Sequence, residues 1–597
     1  MADWEDRFRA RRVGLPDWAR DRPERAVVVA TTDAGVLEVH SWQVGSADLT
    51  PATDRPDGTS GATVDPAGAW LWWFDDDRGD ERGVWRRQPF GSAPGAAVDA
   101  TGLAAAYSSG LALGERVAVV GSSDDGYGVR VHAVAGDGTA RQIYAHVEEA
   151  YVGDLSRAET LVVLAHSEHG DSRHPALRVL RIDDADAVAD LWDGAGKGLH
   201  PLGFSPVPGD QRLLVVHERA DAPALLIWDP VSGTEQLIDL AVDGEVADAD
   251  WLPDAAGVVV AIDHVARTRL VRVDLANGAV TDVGPTAGTV TAFAVRDDGD
   301  VWASWSSAAQ PASVRRFGLQ GADEVLLTAP GPVAPTSVAV RDVWVQGPGG
   351  RVHALLRTPA SGSGPWPLVV EVHGGPTHHD VDAFGAYASA WVDHGFALVQ
   401  VNYRGSTGYG SAWRDALEAR VGHVELADVV AVRDHLVATA VADPDRVVLA
   451  GASWGGFITL LGLGVQPDRW AVGLAGVPVA DYVAAYEDEM EGLKAFDRSL
   501  FGGSPTEVPD KYADSSPLSY VDAVRVPVLV LAGENDPRCP IRQIENYVAR
   551  LAERQVPHEV YRYDAGHGSL VNDERVRQMR VEIDFVARHL GTPASLG

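Results

Sequence analysis

The segment Gly451-Ala452-Ser453-Trp454-Gly455 places a serine between two glycines at G-x-S-x-G spacing. Glycines there relieve crowding where a strand turns sharply into a helix. The turn lifts the serine hydroxyl out of the sheet and beside a helix N-terminus. An apolar run at 446–450 precedes it and a helical pattern follows, which is the context such a turn needs. A serine hydroxyl is too weak an acid to attack an amide unaided; it needs a base that a carboxylate orients. In folds built on this turn the chain order is serine, acid, histidine. Downstream, the strand at 527–533 ends in Glu534-Asn535-Asp536, and the strand at 559–563 ends in Asp564-Ala565-Gly566-His567-Gly568. Asp536 is therefore expected as the acid and His567 as the base. Glu534 is closer to its strand and is expected to face elsewhere. His558 begins a strand and His589 lies in the final helical stretch, so neither is at the right end of the sheet.

The strand at 368–372 ends in His373-Gly374-Gly375-Pro376. A tight glycine loop there can aim backbone N–H groups at a developing oxyanion, together with the amide of Trp454, the residue after the nucleophile. One such donor contributes about 2.7–4 kcal/mol of transition-state stabilisation. His373 is expected to be a buried structural residue, and no second ligand is spaced to make a metal site with it. No metal or cofactor is expected. After Pro478 runs VADYVAAYEDEMEGLKAFDRSLFGGSP, in which Glu487, Asp488, Glu489 and Glu491 are interleaved with Tyr482, Tyr486, Phe496 and Phe501. The segment follows the strand after the nucleophile helix and is expected to overhang the cleft. Glu487 or Glu489 would then pair with a substrate's α-ammonium while Tyr482, Tyr486 and Phe496 line an apolar pocket. The plainer reading of the acidic run is a solvated helix face.

These residues need a scaffold, and the 597-residue chain supplies two kinds. From about residue 25 to 325, short β-type runs alternate with turn signals such as Asp137-Gly138, Ser232-Gly233 and Asn277-Gly278. A faint repeat pairs the segment from Phe204 with that from Trp251; their prolines, Pro206 and Pro253, stand 47 apart (253 − 206). A period of about 45 residues is that of a four-stranded propeller blade, which makes six or seven blades, seven preferred. After about residue 330, strands alternate with helix-length segments, the pattern of α/β with a mostly parallel sheet, whose chemistry sits at the C-terminal strand ends. The expected organisation is multidomain β plus α/β: an extension at 1–24, a β-propeller at 25–328 and an α/β-hydrolase domain at 329–597.

Composition narrows the partners. Fifty basic residues stand against 85 acidic ones, net −35, so nucleic acid and anionic membranes are poor partners by bulk electrostatics. The one cysteine, Cys539, excludes an internal disulfide framework and a cysteine zinc cluster. The charged N-terminus has no signal-peptide h-region, and the longest apolar runs are strand-sized, so a soluble cytoplasmic protein is expected. Its oligomeric state is open, a homo-oligomer being one option.

Taken as a set, HGGP at His373, NYRGSTGYG at Asn402, GASWGGF at Gly451, GENDPRCP at Gly533 and DAGHG at Asp564 resemble the prolyl oligopeptidase family of serine peptidases, in its acylaminoacyl-peptidase-like branch. The resemblance implies an N-terminal propeller capping an α/β-hydrolase domain, with a first helix, 4–12, packed on the hydrolase. It implies Ser453 as nucleophile, Asp536 as orienting acid, His567 as general base, the amides of Gly375 and Trp454 as oxyanion hole, and Arg538 on a substrate carbonyl. Many relatives have Tyr where Trp454 stands. Glu148-Glu149 resembles the paired glutamates with which dipeptidyl-peptidase relatives grip an N-terminus. The expected activity is a serine exopeptidase acting on short peptides or aminoacyl amides and releasing the N-terminal residue. The alternatives are an acylaminoacyl peptidase, an esterase, or a non-catalytic binding scaffold.

Overall fold

The computed structural model describes residues 4–124, 126–318 and 321–591; the ends of the expected first and last segments, 1–3 and 592–597, lie outside them. Between Asp17 and Leu327 the chain folds into antiparallel sheets in a propeller-like arrangement. Among the described residues there are five four-stranded sheets and one of eight strands. The strand Gly257–Asp263 shows why these sequences stack. Its residues are buried through Ile262, and side chains alternate between the two faces of a sheet. Val258, Val260 and Ile262 pack with Leu214, Val216, Leu225 and Ile227 of the preceding sheet. Val259 and Ala261 pack with Val290, Val301 and Ala303 of the following one. A strand covered on both faces reads as one continuous apolar run, as here. The first and last sheets meet through Ala26, Val28 and Trp42 against Trp302, Val314 and Leu327. At this seam the Arg296 guanidinium lies 4.8 Å from the Trp18 ring and 4.1 Å from the Trp302 ring.

The second half is built on one eight-stranded sheet. In spatial order its strands are Arg341–Gly347, Gly350–Arg357, Ala397–Asn402, Trp366–Val372, Ala442–Ala452, Val472–Gly476, Val528–Gly533 and His558–Tyr563. The first two pairings are antiparallel and the remaining ones parallel. Alternate residues feed two cores. Val370, Leu449 and Val530 face one, with Phe457 and Leu461. Val369, Val448 and Leu529 face the other, with Trp391 and Phe585. The helix Trp4–Arg9 joins the second core through Phe8, and Arg7 is paired with Asp393 at 2.9 Å. No helix among the described residues is long and apolar enough to cross a membrane.

The two halves meet across the C-terminal ends of the parallel strands. Glu245 accepts from the Gly408 and Gly410 amides, Arg414 is paired with Glu218, and Asp171 accepts from Ser499. On the other side, Arg78 reaches Asp564 at 3.1 Å and Val36 pairs with Val571.

Candidate active site

Ser453 follows the strand Ala442–Ala452 and caps the helix Trp454–Val465 with φ 57° and ψ −120°. A non-glycine residue in that region is strained, and such strain persists only where the surroundings impose it. Here the crowding is explicit: a Cβ on Gly455 would lie 1.9 Å from the Val372 carbonyl oxygen. The Ser453 amide donates to the Gly476 carbonyl at 2.8 Å, fixing the turn to the next strand.

Asp536 and His567 stand after the strands Val528–Gly533 and His558–Tyr563. His567 Nδ1 meets Asp536 Oδ2 at 2.8 Å. Asp536 Oδ1 accepts from the amides of Arg538 and Cys539 at 2.9 and 3.0 Å. The buried carboxylate thus has three donors, which hold it in one orientation. His567 and Ser453 line the same cavity of about 330 Å³. Among the described residues no hydrogen bond joins them; such bonds commonly tighten in the substrate complex. The histidine loop is braced from the propeller side, because Gly79 presses on Gly566. A Cβ on Gly79 would lie 2.9 Å from the Gly566 amide nitrogen.

Gly375 and Trp454 line the cavity beside Ser453. Trp454 is the first residue of its helix, so its N–H has no acceptor within the helix. Gly374 abuts the serine; a Cβ there would stand 3.3 Å from Ser453 Cβ. His373 is a clamp behind this loop. Its ring stacks on Tyr403 at 4.2 Å, Nε2 meets Ser406 Oγ at 2.8 Å, and burial pushes its pKa down to about 3. Glu534 pairs elsewhere, 3.6 Å from Arg562.

The remaining expected residues divide. Arg538, Glu489, Tyr482 and Phe496 line the cavity. Arg538 is held from the propeller by Glu81, Nε to Oε1 2.7 Å. Glu487 and Tyr486 do not line it, which corrects the sequence expectation. The segment is two helices, Tyr482–Asp488 and Glu491–Phe501, and the first turns Glu487 outward. Its side chain is 59% exposed and paired with Arg542 at 2.8 Å. Tyr486 packs against Tyr512 and accepts from Arg498 at 3.3 Å. Glu148 and Glu149 approach the second helix from the propeller, at Arg498 and Gly492, without lining the cavity.

Sequence reasoning missed Asp497, which lines the cavity beside Glu489. Its signal was present. Leu493, Phe496, Leu500 and Phe501 mark one helical face, and Asp497 falls on that face. Glu489 is 4% and Asp497 5% exposed, and burial pushes both carboxyls up, Asp497 to about 8.

Among the described residues, two groupings bring metal-type ligand atoms together, Asp536–Cys539–His567 and His166–His169–Asp190. In the first, Asp536 and His567 are bonded to each other. In the second, Asp190 already holds the Arg178 guanidinium, which occupies the place of a cation.

Residues 383–593 match the family model described as the prolyl oligopeptidase family. The acylamino-acid-releasing enzyme of Rattus norvegicus is 31% identical over 209 residues, covering 34% of this chain and 29% of that enzyme. Dipeptidyl aminopeptidase BIII of Pseudoxanthomonas mexicana is 29% identical over 232 residues, 38% of this chain and 34% of that protein. The match thus spans about a third of each curated relative. A puromycin hydrolase crystal structure superposes over 99% of this chain and 96% of its own, with TM-score 0.84 at 22% identity, a likeness of fold.

Proposed function

We propose, from the match of residues 383–593 to the prolyl oligopeptidase family model, a serine exopeptidase that releases the N-terminal residue of short peptides or aminoacyl amides. The observation that carries this reading is the Asp536–His567 bond in one cavity with Ser453 on its strained turn. Ser453 Oγ attacks the scissile carbonyl while His567 Nε2 takes its proton. Asp536 keeps the other ring nitrogen protonated and stabilises the imidazolium that forms. The oxyanion faces the Gly375 and Trp454 amides. Collapse expels the amine with the proton from His567, and water then hydrolyses the acyl-enzyme by the same base. Arg538, steered by Glu81, is placed to donate to a substrate carbonyl.

The propeller over the strand ends supports selection for short substrates, since a covered site excludes folded chains and bulk water. We read the eight-stranded sheet as two blades joined where Arg82 and Gly83 pair with Tyr107 and Ala106, which supports a seven-bladed ring. The carboxyl of Glu489 inside the cavity supports a free over a blocked N-terminus. The test is hydrolysis of a free-amine and an N-acetylated anilide of the same amino acid, with Ser453→Ala as control. Preference for the free amine is expected. Preference for the acetylated partner would make the protein an acylaminoacyl peptidase, the activity named in the rat relative.

A further inference from the structure

We propose that Glu489 and Asp497 together form a one-proton carboxyl pair that receives a protonated nitrogen of the residue whose acyl group Ser453 takes up. The proposal rests on the peptidase reading and extends it to substrate class.

Both carboxyls are more than nine-tenths buried and line the cavity that holds Ser453, Gly375 and His567. They meet each other side by side, and two carboxyl groups can share a hydrogen bond only when one of them keeps a proton. Glu489 Oε1 and Asp497 Oδ2 are buried out of solvent reach, with no donor from elsewhere among the described residues. One shared proton leaves the pair with a single negative charge, and a buried charge without a counter-ion is strongly unfavourable, so in a substrate cavity the pair is placed for a cation that arrives with the substrate.

Among the described residues no basic side chain is ion-paired with either carboxyl. Lys494 is held by Glu491 at 3.2 Å. Arg498 is turned to Tyr486 and to Glu148 of the propeller. The Tyr482 and Tyr512 phenols and the Cys539 thiol face the pair as neutral groups, each pushed up by burial. Asp536, the next carboxylate, is occupied by His567 and two amides. Trp454, Tyr482 and Phe496 wall the same cavity and suit the carbon stem that carries the charge. In the complex, substrate N–H groups donate to the pair while the shared proton stays between the two carboxyls.

The cation has two sources: the α-ammonium of a free N-terminal residue, or the end of a lysine or arginine side chain. Three anilides separate them: leucine anilide, N-acetyl-lysine anilide and N-acetyl-leucine anilide. In the wild-type protein, kcat/KM for one of the first two should exceed that for the third by about 10–100-fold, the range for hydrogen bonds to charged groups. In Glu489→Gln and Asp497→Asn that ratio should fall to within about threefold. A ratio unchanged in both variants, or no wild-type preference for either cation, would overturn the proposal. If a variant fails to fold, inhibition of the wild type by leucinamide and N-acetyl-lysinamide against N-acetyl-leucinamide decides: equal inhibition by all three overturns it. Failure of the peptidase reading looks different, since none of the anilides would then be cleaved in a Ser453-dependent way.

Discussion

Two regions beside one cavity bury carboxylates in opposite ways. On the loop 536–539, Asp536 has three donors: one histidine nitrogen and two amides. On the segment 481–501, Glu489 and Asp497 are buried just as deeply but have only each other. A few residues away, Glu487 and Asp488 are exposed and tied to Arg542. Charge alone says little about such residues. A saturated buried carboxylate positions a partner, an unsaturated one waits for a ligand, and an exposed one decorates the surface.

If Asp536 works by orienting His567, Asp536→Asn should leave the fold intact and lower kcat by about 10⁴-fold. Far-ultraviolet circular dichroism alongside turnover would check this, and a loss below tenfold would erase the contrast with Asp497. The same region is braced by the propeller at Gly79 and Gly566. Gly566→Ala sets a Cβ 1.8 Å from the Gly79 carbonyl oxygen. The displaced His567 should cost about 10²-fold in kcat/KM, with Tm measured in parallel.

The unsaturated pair should betray itself in stability. Burial lifts the Asp497 carboxyl to about 8, so between the ordinary carboxylate range and that value the folded state holds a proton the unfolded chain has released. Stability from this group is therefore full at low pH and drains as pH rises toward 8. Asp497→Asn should flatten that decline, shrinking the Tm loss between about pH 5 and pH 8 by about 2–4 °C for each kcal/mol involved. Glu371, Glu425 and Glu582 are also raised by burial, but they act in both proteins, so the difference isolates the Glu489–Asp497 pair. The smallest effect belongs to the surface: Glu487→Gln should change stability by under about 1 kcal/mol and kcat/KM by under about twofold.

The grouping of Ser453, Asp536 and His567 was legible in the sequence because its signals are local. Gly451 and Gly455 bracket the turn, and Asp536 and His567 follow strands that announce themselves as apolar runs. The alternation of strands and helices after residue 330 likewise foretold the parallel sheet. What stayed hidden depends on packing at long range. Glu487 and Glu489 sit two positions apart, and only the end of the helix Tyr482–Asp488 decides that one faces solvent and the other the cavity. Asp497 reads as a solvated helix charge until the apolar residues around its face are found buried. The brace of Gly79 on Gly566 joins residues from opposite ends of the chain and has no sequence signature beyond a glycine in each loop.

The most direct measurement is reaction of the intact protein with a fluorophosphonate probe, read by mass spectrometry and peptide mapping. One adduct per chain on Ser453, absent in Ser453→Ala and strongly slowed in His567→Ala, is the expected result. No adduct, or an adduct on Ser453 whose rate is indifferent to His567, would contradict the assignment of Ser453 as an activated nucleophile.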